Sequence, residues 1–283
     1  MKKRKSKKII ILTVASALIF CGIIFIKNEK VISPSTQNNN DSEIVKISSI
    51  EDKTEDNTTS TSTNEANLQN LSMPVLMYHH IRDFSDPNDK IGTNLSVSPE
   101  KFAKQLDLIK NEGYTTITFN DLSTGNTPTK PIILTFDDGY ENFYQNAYPE
   151  LKKRGMIGTV FVIVNDIGKN DYLSEKEIKE INSNGIEIGS HTLSHPDLST
   201  SSSSRAQEEI SSSKKALESL IGNNVISFCY PSGKFSEETA QIVKETGYKY
   251  AVTTKSKLTT FENLFELNRY RVNSDTSISG FLK

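Results

Sequence analysis

"PIILTFDDGY", residues 131–140, sets an apolar run against two adjacent carboxylates, Asp137 and Asp138, and then a glycine. The run is short and rich in β-branched residues, and Asp-Gly closes it, so it reads as a strand buried on both faces. Asp-Gly by itself signals only a turn. Similar runs recur along the chain: "PVLMYH", "YTTITF", "TVFVIV", "IEIGSH", "SFCYP" and "KYAVTT". Helical patterns lie between them. Ser98-Pro99 forms an N-cap and first helical position ahead of Phe102, Leu106 and Ile109, and further helices cover about 141–154, 174–184, 203–221 and 236–246. Gly155, Gly185 and Gly247 stand where helices end. About seven such units predict a β/α barrel or a doubly wound parallel sheet, and in both the chemistry collects at the C-terminal ends of the strands.

The residues just past each run therefore carry the functional reading. All four histidines of the chain fall there: His79 and His80 after "PVLMY", His191 and His195 in "SHTLSH". Imidazoles four positions apart meet at one point from either a helical turn or a tight loop. Two imidazoles and a carboxylate form a set that holds Zn²⁺, or another divalent transition metal such as Co²⁺ or Ni²⁺, and leaves a position open for water. "TFDDG" offers that carboxylate and a second beside it. One Asp then holds the cation while the other, free of it, takes a proton from water, and the cation keeps both ionised.

The N-terminus has a different character. Lys2, Lys3, Arg4, Lys5, Lys7 and Lys8 precede eighteen uncharged residues, Ile9 to Ile26, which predicts a membrane anchor over 1–27 with the rest of the chain outside the cytoplasm, or a secreted protein if the segment is cleaved. Residues 28–71, rich in Ser, Thr, Asn and Asp, read as a disordered spacer, and 72–283 as the catalytic domain. The formal charge is −2 although six positive charges sit in the first eight residues, so the remainder is acidic, which argues against nucleic acid as a partner. Cys21 and Cys229 are the only cysteines, too few for a disulfide framework.

"TFDDG" and "HTLSH" resemble the first two motifs of the polysaccharide deacetylases, the NodB-type domain of carbohydrate esterase family four. The resemblance covers about Met73 to Lys283 and implies a distorted β/α barrel of about seven strands, in which Asp137 is the general base and Asp138, His191 and His195 hold the metal. No histidine follows His195, where most members place the general acid. "PVLMYHHI" stands before the Asp motif instead, as in the circularly permuted branch that includes the biofilm poly-β-1,6-N-acetylglucosamine deacetylases. That order makes His79 the acid and leaves His80 as a structural residue. "FCYPSG" departs from the family pattern: Cys229 takes the place of an Arg that pairs with the base, and Ser232 that of a Tyr whose backbone N–H stabilises the oxyanion. Ser232 keeps that N–H. Arg269 in "LNRYRVN" is the candidate replacement for the Arg, and Tyr230 or Phe136 for the aromatic wall of the substrate pocket. What the resemblance implies is a monomeric hydrolase that removes acetyl groups from an extracellular N-acetylglucosamine polymer, the β-1,6-linked one first and peptidoglycan second. A glycoside hydrolase would need two carboxylates about 5 to 9.5 Å apart across a cleft, which adjacent aspartates fit poorly. A noncatalytic carbohydrate-binding domain is the third reading, motivated by the altered motif at Cys229.

Overall fold

The computed structural model describes Leu68 and residues 71–282. These belong to one compact unit, Glu55–Lys283. The expected anchor, 1–27, and nearly all of the expected spacer, 28–71, lie outside the described residues, among which no helix is long and apolar enough to cross a membrane.

Seven strands arise from the seven apolar runs: β1 (Val75–Tyr78), β2 (Thr115–Ile117), β3 (Pro131–Phe136), β4 (Thr159–Val162), β5 (Glu187–Ser190), β6 (Ser227–Cys229) and β7 (Tyr250–Val252). An eighth, β8 (Tyr270–Arg271), was not expected from the sequence, because "RYRV" places charge at every second residue and is short. All pair in parallel, in the order β7-β6-β5-β4-β3-β1-β8. β2 lies beside the first half of β3 and β4 beside its second half, so one edge of β3 serves two neighbours. The two ends of the curled sheet are linked by one segment. Leu267 exchanges backbone hydrogen bonds with Ala251 and Thr253 on the β7 side, and Tyr270 and Arg271 pair with Leu76 and Met77 of β1. Arg269 lies midway.

Besides the short helix Lys90–Leu95, six helices of the described residues cover the outside: α1 (Pro99–Asn111), α2 (Phe119–Thr124), α3 (Tyr148–Arg154), α4 (Glu175–Ser183), α5 (Ser203–Ile221) and α6 (Glu237–Glu245). Ser98, Ser174, Ser202 and Ser236 cap α1, α4, α5 and α6 through side-chain oxygens that accept N3 backbone N–H groups. The helix expected over 141–154 is interrupted: Phe143–Ala147 is a wider π turn, and α3 starts only at Tyr148, where Pro149 sits in the first turn.

Strand alternation divides the apolar residues into two cores. Leu76, Tyr78, Ile132, Leu134, Phe136, Val160, Phe228 and Tyr230 face the helices. Val75, Ile117, Ile133, Phe161, Cys229, Val252 and Leu267 fill the inside of the curl. Burying each of these larger side chains contributes about 1.5–3 kcal/mol. The same parity sets the site, because Asp137 follows Ile133 and Thr135 inward, and His79 follows Val75 and Met77.

Candidate active site

β3 stops at Phe136, and the next residues change hand: Asp138 has φ 73° and Gly139 φ 76°. A left-handed residue is unusual for Asp and natural for Gly. The reversal turns the Asp138 carboxylate toward β5 while Asp137 stays on the inner face of β3.

Asp137 is almost fully buried and gripped by Arg269. Nη1 donates to Oδ1 at 2.6 Å and Nη2 to Oδ2 at 2.8 Å, a two-pronged pair. Arg269 is itself 0% exposed, with Nε donating to Thr253 O at 3.0 Å, Nη1 to Thr135 Oγ1 at 2.9 Å, and Nη2 within 3.2 Å of Cys229 Sγ. Burial alone would raise the Asp137 carboxyl, but the Arg269 charge and hydrogen bonds outweigh it and hold the group below its ordinary value. The His79 ring follows β1, with Nε2 3.9 Å from Asp137 Oδ2. Burial lowers its pKa against the opposing pull of Asp137 and Asp138.

His191 and His195 leave the end of β5 in a tight loop, not a helical turn, since Thr192 (φ 69°) and His195 (φ 57°) are left-handed. His191 Nε2 lies 3.3 Å and His195 Nε2 3.7 Å from Asp138 Oδ1. The other nitrogen of His191, Nδ1, is 2.7 Å from the Cys229 carbonyl oxygen, an acceptor that fixes a proton there and turns Nε2 to Asp138; burial opposes a charged ring, but its contacts with Cys229 and Asp138 outweigh this and raise its pKa. One donor atom from each of Asp138, His191 and His195 fits within 4.8 Å, the chemistry of a divalent-cation site. Asp137, His191 and Cys229 also cluster, but Arg269 already occupies that carboxylate and burial raises the Cys229 thiol, which disfavours the thiolate a metal needs. The Asp138 set is therefore the one that fits a metal.

Several neighbours were not singled out in the sequence. Glu209 of α5 anchors the histidine loop: its carboxylate accepts from Ser194 N at 2.8 Å and Ser194 Oγ at 2.6 Å, with Arg205 Nη2 at 2.8 Å. Tyr140 has its hydroxyl pKa raised by burial and by the charge of Asp138. Its ring stacks on His80 at 3.7 Å. His80 in turn accepts from Asn142 Nδ2 at 2.9 Å and is held neutral, with burial pulling its pKa down to about 4. Its packing is that of the structural residue expected. A Tyr beside a carboxylate doublet and a Glu mid-helix carry no periodic signal, which is why sequence reading passed over them.

The expectation of an aromatic pocket wall is corrected. Tyr230 does not line a substrate pocket: Cys229 points inward, so alternation sends Tyr230 to the helix side, where it is 0% exposed, stacks on Phe235 at 4.4 Å and donates to Phe265 O. Phe136 is core for the same reason. Arg269, by contrast, does what was expected of the replacement Arg: it pairs with Asp137, and the rest of its guanidinium is taken up by protein partners, leaving none for a substrate. Ser232 is exposed, with left-handed backbone (φ 54°), three residues beyond Cys229.

Comparison with known proteins agrees with this geometry. A sequence profile described as Polysaccharide deacetylase matches residues 124–251, a stretch that holds both aspartates and both loop histidines but neither His79 nor Arg269. The putative polysaccharide deacetylase YxkH of Bacillus subtilis is 34% identical over 215 residues, which make up 74% of this chain and 74% of that protein. A poly-beta-1,6-N-acetyl-D-glucosamine N-deacetylase of Staphylococcus aureus is 27% identical over 212 residues, 66% of this chain and 73% of that one. Among solved structures, the Streptococcus pyogenes deacetylase PplD in complex with acetate superposes with TM-score 0.70 at 34% identity, covering 75% of this chain and 99% of that one.

Proposed function

The chain belongs to the polysaccharide deacetylase family, and from that premise and the geometry of the site we propose that it hydrolyses the acetamide of N-acetylglucosamine residues in an extracellular polymer. The observation that carries the assignment of roles is the separation of the two aspartates: Arg269 holds Asp137 ionised and apart, while Asp138 converges with His191 and His195.

Asp138, His191 and His195 would hold a divalent cation, Zn²⁺ being the best match to two imidazoles and a carboxylate. A cation so held supplies a water of pKa lowered to about 7 and a positive charge beside the reacting carbonyl. Asp137 is the residue placed to take a proton from the attacking water. Its basicity is reduced by Arg269, and the lowered pKa of the water offsets this. His79, whose Nε2 lies 3.9 Å from Asp137 Oδ2, gives a proton to the nitrogen as the C–N bond breaks, because an amide anion is too basic to leave. The Ser232 N–H is the candidate donor to the developing oxyanion. The C–OH bond formed and the C–N bond broken yield acetate and a glucosamine residue.

The β-1,6-linked polymer is the favoured substrate, supported by the named activity of the S. aureus relative and by the position of His79 ahead of the Asp motif. Peptidoglycan is the second. Residues 1–27 as a single-pass anchor would place a monomeric catalytic domain on the outer side of the membrane. Acetate release by the purified protein, on β-1,6-linked N-acetylglucosamine oligomers and on peptidoglycan fragments, with added Zn²⁺ and then with a chelator, tests the reading. Metal-dependent release from the oligomers is expected; release from peptidoglycan alone would transfer the activity to the wall, and release from neither would overturn it.

A further inference from the structure

Two arginines sit two residues apart on the inward face of the segment that links the sheet ends, and they are treated oppositely. Arg269 is wholly buried and bonded through all three of its nitrogens. Arg271 is half-buried, and among the described residues its guanidinium makes no hydrogen bond or ion pair. The nearby carboxylates are already engaged, Asp137 by Arg269 and Asp138 by the histidines. A partly desolvated cation without an acceptor is unfavourable in the free protein, so a planar fork of donors in this place is suited to an acceptor that arrives from outside.

Its position says which part of a substrate arrives. Arg271 pairs with Met77 of β1, and His79 is two residues beyond Met77, so the guanidinium lies on the same face as the proton donor. Cations also occur in the neighbouring stretches of chain. Arg82, just past His80, and Lys101 of α1 line a cavity of about 440 Å³ together with Ser274, three residues beyond Arg271. Asp83 on the same cavity is the one opposing charge in its lining. A polymer whose reacting residue lies at His79 would bring a neighbouring sugar within reach of a guanidinium on that same face.

We propose that Arg271 reads the sugar adjacent to the reacting one, donating to its acetamide oxygen and rejecting that sugar once its acetyl group has been removed. The inference rests on the N-acetylglucosamine reading above. The acetamide carbonyl is a hydrogen-bond acceptor, whereas the deacetylated residue carries an ammonium that has no acceptor to offer and is repelled by the guanidinium. Deacetylation beside an existing glucosamine is then disfavoured, and the product carries free amines at isolated residues instead of in runs.

The test uses the full-length, metal-loaded protein and two β-1,6-linked N-acetylglucosamine oligomers, one fully acetylated and one with a single free amine next to the target residue. Wild type is expected to show kcat/KM about tenfold lower on the second, a gap that narrows with salt. Arg271→Met should shrink that ratio to within about twofold, while Arg271→Lys, which keeps the charge and loses the fork, should keep the discrimination and raise KM on the acetylated oligomer. Because each ratio is internal to one protein, general damage to the fold cancels. Equilibrium binding of both oligomers to Asp137→Asn protein, with and without Arg271→Met, gives the same comparison if the variant does not turn over. A wild-type ratio near one, or a ratio unmoved by Arg271→Met in rates and in binding, overturns the proposal. Turnover of neither oligomer by wild type overturns the substrate reading, and this inference with it.

Discussion

Asp137 and Asp138 are neighbours in sequence with unlike surroundings, and the difference comes from one reversal of backbone hand at Asp138. Asp137 stays in the inner core, where an unpaired carboxylate would be protonated, and Arg269 prevents this. Removing one partner of a buried ion pair strands the other. Arg269→Ala is therefore expected to lower stability by about 3–5 kcal/mol in denaturant unfolding at pH 7. In whatever folds, burial then dominates and the Asp137 pKa rises, so the acid limb of kcat/KM against pH should move to higher pH. The sign for stability follows the same linkage: with its pKa depressed in the folded wild type, Asp137 contributes stability above its unfolded pKa of about 3.9 that is lost as pH falls further. An unchanged acid limb in the variant would mean that Arg269 does not set the ionisation of Asp137. The doublet and the four histidines were visible in the sequence because rare residue types at strand ends stand out, whereas Arg269 was reached only through the family resemblance, which calls for an Arg beside the base. Tyr230 was misread by attending to residue type over parity: one step along β6 from an inward Cys229 is an outward position.

At the scale of elements, seven strands and the capped helices were legible because apolar runs and Ser caps are local signals. The link Leu267–Val272 was not, since its role is to touch both ends of the sheet and only the fold makes those ends neighbours. The histidine loop has a similar hidden dependence. Glu209, six residues into α5, holds Ser194 in place between His191 and His195. Glu209→Ala should free the loop and weaken metal affinity about 10- to 100-fold, the usual cost of losing support behind a ligand, as measured by competition with a chelator. Affinity equal to wild type would show that the loop is positioned without it. Gly189, two residues before His191, is packed so closely that a Cβ would lie 2.5 Å from the Phe161 ring and 2.7 Å from Ser227 Oγ. Gly189→Ala is expected to destabilise by about 1–3 kcal/mol in thermal or denaturant unfolding, because both neighbours are fixed in the inner core.

Across the whole molecule, the end of the sheet opposite the site carries a buried carboxylate of its own. Glu187 begins β5 and accepts from Ser227 Oγ at 2.6 Å and from the Asn120 N–H of α2 at 3.1 Å, while burial pushes its pKa up to about 7. The folded state thus binds this proton more tightly than the unfolded chain, so stability should fall as pH rises from about 4.5 to about 7, by about 3 kcal/mol for this group. Glu187→Gln should flatten that part of the stability–pH curve relative to wild type; an equal slope in the two proteins would contradict the assignment. The fold places this group at one end and the hydrolytic residues at the other, and the division of labour between Asp137 and Asp138 is the claim on which the mechanism stands. Bound metal and acetate release measured together on Asp137→Asn and Asp138→Asn test it most directly. The account predicts full metal content without turnover in the first and loss of both in the second; metal lost from Asp137→Asn and kept by Asp138→Asn would contradict it.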